Sequence, residues 1–219
     1  MKIAPYGSWR SPIAARDLAH GGVRFGFLTT DGESVYWTEW RPEEGGRNQI
    51  VRWNPEDGSL TDLLPESFSA RSRVHEYGGA EFLAEGGRVL FVQETDQRLY
   101  RIEAPGAKPV PLTPEGFLRF ADGIVDSKRE RYILVCEDHS TNPEPRNTLV
   151  AVSAEGGTVR TLVTGFDFVS SPRLAPGGDR LAWLGWYPPG DALGRYPALD
   201  CTGGRAGTAH RRAPDRWGS

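Results

Sequence analysis

Cysteine is scarce in this 219-residue sequence, which holds only Cys136 and Cys201. Two cysteines make no disulfide framework, and neither has the spacing of a metal-ligand pair. Long apolar runs are missing as well. None approaches the ~20 residues of a membrane span, and Met1 to Arg16 lacks the apolar stretch of a secretory signal. There is no basic surplus either. The net charge is -3, so nothing favours nucleic acid or an anionic membrane. A sustained helical period is also absent. Together these absences exclude a membrane-spanning, nucleic-acid-binding or disulfide-stapled protein. They leave the cytoplasm as the expected compartment, with no metal or cofactor called for.

What the sequence has in quantity is turn formers and aromatics. It carries 27 glycines and 17 prolines, with 7 tryptophans and 7 tyrosines. Charged residues make up 25% and hydrophobic ones 38%, a balance that suits a folded globular chain. Turn residues punctuating short aromatic and β-branched runs point to an all-β protein.

The chain repeats itself. Leu60–Leu63, Pro109–Leu112 and Val159–Leu162 are short segments ending in leucine, and those leucines recur at intervals of 49 and 50 residues. Upstream of each lies another strand candidate: Gln49–Trp53, Arg98–Ile102 and Thr148–Val152. A turn and a further strand precede these, at Val35–Trp37, Val89–Phe91 and Tyr132–Val135. A fourth turn and strand, ending in Leu181–Trp183, has no downstream partners that fit the pattern. A period of roughly 40–50 residues with several strands per unit is the mark of a propeller blade. The expected fold is therefore an incomplete β-propeller of about three to four blades, each a four-stranded antiparallel sheet. The segments Arg73–Phe82, Phe120–Val125 and Val169–Leu174 are expected as channel-lining first strands. Trp37, Trp53, Trp183 and Trp186 are expected to pack between blades, and Cys136 to be a small buried hydrophobe.

Several motifs add a resemblance. Ala4-Pro-Tyr-Gly-Ser-Trp-Arg-Ser-Pro-Ile13, Arg73-Val-His-Glu-Tyr-Gly-Gly79, Asp96-Gln-Arg-Leu-Tyr100, Phe120-Ala-Asp-Gly123, Glu137-Asp-His139 and Ser170-Ser-Pro-Arg-Leu174 occur in order along the chain. From about Lys2 to Trp186 the sequence resembles the N-terminal propeller of the prolyl oligopeptidase family, in its acylaminoacyl-peptidase and dipeptidyl-aminopeptidase-like branch. The resemblance implies a C-terminal α/β-hydrolase domain carrying a Ser-Asp-His triad, with the serine on a G-x-S-x-G elbow. No such elbow occurs in these 219 residues, so no catalytic residue is expected in them. The implied partners are short peptides in the intact relative, together with the hydrolase domain.

Four residues are candidates for substrate contact at the channel or the domain face: Arg73, His75, Glu76 and Tyr77. A glutamate pairs an ammonium, and an arginine grips a carboxylate in a bidentate fork. The alternative is that His75 and Glu76 only hydrogen-bond between blades while Gly78-Gly79 permits a bulge. Asp122, Asp138 and His139 could suggest a metal. However, neighbouring strand residues point to opposite faces, so turn and inter-blade hydrogen bonding is the expected role.

After Trp186 the character changes. Residues 187–219 are rich in Arg, Gly, Ala and Pro, without alternation. Back-translated as GAT GCC CTG GGA CGG TAC and read from the second base, Asp191–Tyr196 with the first base of Pro197 gives Met-Pro-Trp-Asp-Gly-Thr. Pro188 and Pro189 in that frame can encode His-Pro, and Leu199–Thr202 can encode Trp-Thr-Ala. Relatives in the resembled family continue with such a segment. The expected organisation is thus a partial propeller over 1–186 and a frameshifted tail over 187–219, with a disordered tail as the alternative. Two functions remain open at this point. One is the non-catalytic, substrate-gating propeller of a serine peptidase, and the other is a stand-alone binding or scaffold propeller.

Overall fold

The computed structural model describes Pro5, Gly7, Ser8, residues 22–140 and 144–187, and the backbone of residues 198–202. Most of the opening Ala4–Ile13 motif and most of the tail lie outside the described residues.

Four antiparallel sheets follow one another along the chain. Blade 1 holds β1 (Arg24–Asp31), β2 (Ser34–Arg41), β3 (Arg47–Trp53) and β4 (Leu60–Asp62). Blade 2 holds β5 (Phe82–Glu85), β6 (Arg88–Val92), β7 (Leu99–Ile102) and β8 (Val110–Pro111). Blade 3 holds β9 (Leu118–Asp126), β10 (Arg131–Asp138), β11 (Arg146–Ser153) and β12 (Val159–Val163). Blade 4 holds β13 (Phe168–Leu174), β14 (Arg180–Trp186) and β15 (Ala198–Thr202). Each blade pairs its strands in chain order, and the first strands β1, β5, β9 and β13 lie side by side in that sequence. This is the expected propeller. No α-helix occurs among the described residues, so no helix there is long and apolar enough to cross a membrane.

The alternation of side chains explains why the blades need one another. On β6, Val89 and Phe91 enter the core shared with blade 1, while Leu90 and Val92 enter the core shared with blade 3. On β10, Tyr132, Leu134 and Cys136 face blade 2, and Ile133 and Val135 face blade 4. Strands buried on both faces read as continuous apolar runs, which is how Tyr132–Cys136 reads. The repeating leucines close each blade in a similar way. Leu63 and Leu112 are buried and donate their N–H groups to Ile50 and Leu99 of the third strand. In blade 3 a register shift sets Val163 rather than Leu162 opposite Leu149.

Three expectations need correction. The first concerns Arg73–Phe82, which is not a first strand: residues 74–77 form a turn and only Phe82 joins β5. The second concerns the fourth unit, which does have a downstream partner. β15 pairs antiparallel with β14, with Leu199 opposite Trp183 and Cys201 opposite Leu181. The free edge of β14 offers a row of unpaired donors and acceptors, a template that a short extended segment can satisfy. The third concerns the tryptophans. Trp183 is buried in the blade 3–blade 4 core, but Trp53 is exposed and Trp37 half-buried. The adjacent Tyr36, one residue out of phase with Trp37, takes the core position in blade 1.

Blade 1 leaves apolar surface open on β1 and just before it. Phe25 is 73% exposed and Leu28 60%, with Val23 and Phe27 also exposed. Exposed patches of this kind favour self-association. The purified chain is expected to associate with rising concentration in light scattering. A sharply monomeric peak with a cooperative transition at high temperature would contradict this.

Candidate functional site

The connection from β4 to β5 is far longer than those that link the later blades, and it crosses one end of the sheets. Ala70 donates its N–H to Asn48 O of blade 1. Ser69 N–H donates to Gln93 Oε1, and Arg73 N–H to Gln97 Oε1, both of blade 2. Ser72 Oγ donates to Phe120 O of blade 3 at 2.7 Å. Val74 then inserts into the core between blades 3 and 4. The segment 69–78 is therefore a strap that stitches the blades together, and it delivers all four sequence candidates to one place.

The strap ends in a tight turn. Glu76 N–H donates to Arg73 O, and Gly78 N–H to Val74 O. His75 (φ 54°) and Glu76 (φ 63°) are consecutive non-glycine residues in the left-handed region. Such residues cost about 1–3 kcal/mol each and persist only where their surroundings hold them. Gly78 (φ 87°) has no room for a side chain, because a Cβ there would lie 2.9 Å from Ser72 O. A Cβ on Gly79 would lie 2.9 Å from Asp122 Oδ1. The two glycines serve as the exit from this turn rather than as a strand bulge.

Blade 3 supplies the groups that hold it. His75 N–H donates to Glu137 Oε1 at 2.9 Å, and His75 Nε2 lies 2.9 Å from Asn147 Oδ1. Asn147 Nδ2 donates to Asp167 O, which turns the amide oxygen toward the imidazole. An amide oxygen only accepts, so Nε2 carries the hydrogen. Glu137 Oε2 also lies 2.8 Å from His139 Nε2. Arg119 Nη1 donates to Glu76 Oε1 at 2.8 Å and to Arg73 O at 3.1 Å. The Arg119 guanidinium holds the exposed Glu76 carboxyl below the usual carboxylate range. Arg73 itself is exposed.

Aromatic rings line the other side. Phe168 and Trp186, opposite each other in the β13–β14 register, stack at 5.3 Å with planes 13° apart. His75 stands edge-on to both, at 5.2 Å and 6.1 Å. Tyr77 follows at 5.8 Å from His75 and is 81% exposed. The structure thus brings Arg73, His75, Glu76 and Tyr77 together in one turn, and adds Arg119, Glu137, Asn147 and Phe168, which sequence reasoning had not placed there. Glu137 did carry a signal: it continues the Ile133–Val135 face of β10, where a carboxylate must find partners.

Asp122 serves inter-blade bonding. Its N–H donates to Ala80 O, its Oδ1 accepts Ala80 N–H at 2.8 Å, and its Oδ2 accepts Ser171 N–H at 3.4 Å. The Ser140 hydroxyl and then its N–H, which Asp138 accepts at 2.9 Å, hold the Asp138 carboxyl below the usual carboxylate range. No group of three or more His, Cys, Asp or Glu among the described residues is arranged to hold a metal. Cys136 is a buried free thiol whose pKa burial pushes up to about 12, so it is unreactive. Burial likewise raises the pKa of Glu81, which accepts the Thr38 hydroxyl at 2.6 Å.

Two solved structures match nearly the whole chain. A puromycin-hydrolyzing peptidase of Mycobacterium tuberculosis is 35% identical over 97% of this chain, with a TM-score of 0.83. A puromycin hydrolase is 31% identical over 96% of it, with a TM-score of 0.84. In sequence and fold this chain is similar to the propeller portion of peptidases of the prolyl oligopeptidase family. It spans about a third of those relatives, covering 35% of each. An acylaminoacyl peptidase of Pyrococcus horikoshii, 14% identical with a TM-score of 0.59, shares the fold over 89% of this chain. No family model matches, and no curated protein does.

Proposed function

We infer that this propeller is the non-catalytic, substrate-gating part of a serine peptidase of the prolyl oligopeptidase type. Peptide hydrolysis would reside in an α/β-hydrolase domain outside these 219 residues. The observation that carries this reading is the length of the match: almost all of this chain aligns with only a third of two peptidases that are more than 30% identical to it. The missing G-x-S-x-G elbow agrees with it. In the complete protein the propeller would screen substrates by size. Arg73, His75, Glu76 and Tyr77, gathered in one rigid turn, would contact short peptides there. Neither a membrane nor a nucleic acid belongs to this role, and the cytoplasm remains the expected compartment.

The purified chain is expected to hydrolyse no chromogenic aminoacyl or acyl-peptide substrate. A fluorophosphonate probe should label it no more than it labels the heat-denatured protein. Covalent labelling of any serine above that level would overturn the assignment of a non-catalytic part.

A further inference from the structure

We propose that the aromatic surface formed by His75, Tyr77, Phe168 and Trp186 is a binding site for the aromatic side chain of a short peptide. The proposal rests on the peptide-handling reading above and adds to it a ligand class and the residues that select it.

The first observation is the order of the rings. Phe168 and Trp186 stack against each other, His75 meets both edge-on, and Tyr77 extends the series into solvent. Aromatic rings pair best in offset or edge-to-face geometries with centroids about 4.5–7 Å apart. Every successive pair in this series falls in that range. An incoming ring meets a surface whose faces and edges are already fixed.

The second observation is independent of the rings. Tyr77 is 81% exposed, yet the backbone that presents it is strained at both preceding residues, His75 and Glu76. The strain is held by Glu137 on the His75 N–H, by Asn147 on the imidazole, by Arg119 on Glu76, and by the buried Val74. A turn needed only to connect two blades could place a glycine at these positions, as the exit does at Gly78. Strained residues held by their surroundings gather at ligand sites, and a pre-positioned aromatic loses little freedom on binding. The nearby charges are already matched. Glu76 pairs with Arg119, and Glu137 lies within reach of Arg119 and His139. With those carboxylates engaged, a cation would find only ring faces here, whereas an aromatic side chain can use both the faces and the edges.

Three blocked peptides test this on the full chain by saturation-transfer NMR and calorimetry: acetyl-Gly-Phe-Gly-amide, acetyl-Gly-Leu-Gly-amide and acetyl-Gly-Lys-Gly-amide. The Phe peptide is expected to bind, with saturation strongest on its ring protons. The Leu and Lys peptides should bind at least several-fold more weakly. Tyr77→Ala, at an exposed position, should keep the wild-type thermal transition and weaken the Phe peptide by about threefold to tenfold. Trp186→Leu should weaken it as well. Equal binding of the Leu or Lys peptide, no binding of the Phe peptide, or an unchanged affinity in Tyr77→Ala would each overturn the proposal. None of those results would touch the gating reading, which falls instead if the fluorophosphonate probe labels a serine.

Discussion

Replacing Glu137 with alanine should cost about 3–5 kcal/mol of stability, the usual penalty for breaking a buried charged pair. Its side chain is 4% exposed. It accepts the His75 N–H, lies 2.8 Å from His139 Nε2, and sits 3.9 Å from the Arg119 guanidinium. Truncation leaves the His75 donor without its acceptor and Arg119 without its buried counter-charge. The strained His75–Glu76 turn also loses the contact that fixes its first residue. Glu137→Gln keeps an acceptor of the same shape and should cost only about 1–2 kcal/mol. Glu76→Ala, on the exposed side of the same network, should stay within about 1 kcal/mol. Urea midpoints for the three variants check this ordering. A Glu137→Ala loss no larger than that of Glu76→Ala would show that the strap is held by something else.

The repeat made the fold legible because its signals are local. Leucines at 63 and 112 close successive blades by the same hydrogen bond to the third strand, and the turns before Val89 and Tyr132 announce the strands they precede. The strap was not legible as a strap. Arg73–Glu76 carries none of the glycine or proline that marks a turn. Its left-handed residues are held by Glu137, Asn147 and Arg119, some 43 to 72 residues further along the chain. Only Gly78-Gly79 gave the bend away, and the sequence allowed that pair to be a bulge as easily as an exit. The candidates Arg73, His75, Glu76 and Tyr77 were found by type and grouping. The aromatic wall behind them depends on Phe168 and Trp186 meeting across the β13–β14 register, which no short-range pattern reveals. Trp53 and Trp37 show the converse error. Aromatic character predicts burial only where a neighbouring blade supplies a surface, and on blade 1 the adjacent Tyr36 faces that neighbour instead.

The largest functional effect is expected from a repair of the frame error that we propose for residues 187–219. Deleting one C in the run after the Tyr187 codon should restore Met-Pro-Trp-Asp-Gly-Thr and a Trp-containing strand where Ala198–Thr202 now pairs with β14. The repaired product should continue into further blades and an α/β-hydrolase domain. It should hydrolyse short peptides, a rise from none to enzymatic turnover, and serine-directed inhibitors should block it. Each blade added beyond β14 would also cover apolar surface of the kind that β1 exposes. A complete repaired protein without such activity would end the peptidase assignment. The propeller would stand, because it rests on the blades themselves.

Sequencing the DNA through the Tyr187 codon and onward decides whether this propeller belongs to a longer peptidase. Removal of a single C is expected to open a continuous frame into a hydrolase segment with a G-x-S-x-G elbow. A clean in-frame read through Tyr187, with no hydrolase coding sequence downstream in any frame, would contradict it.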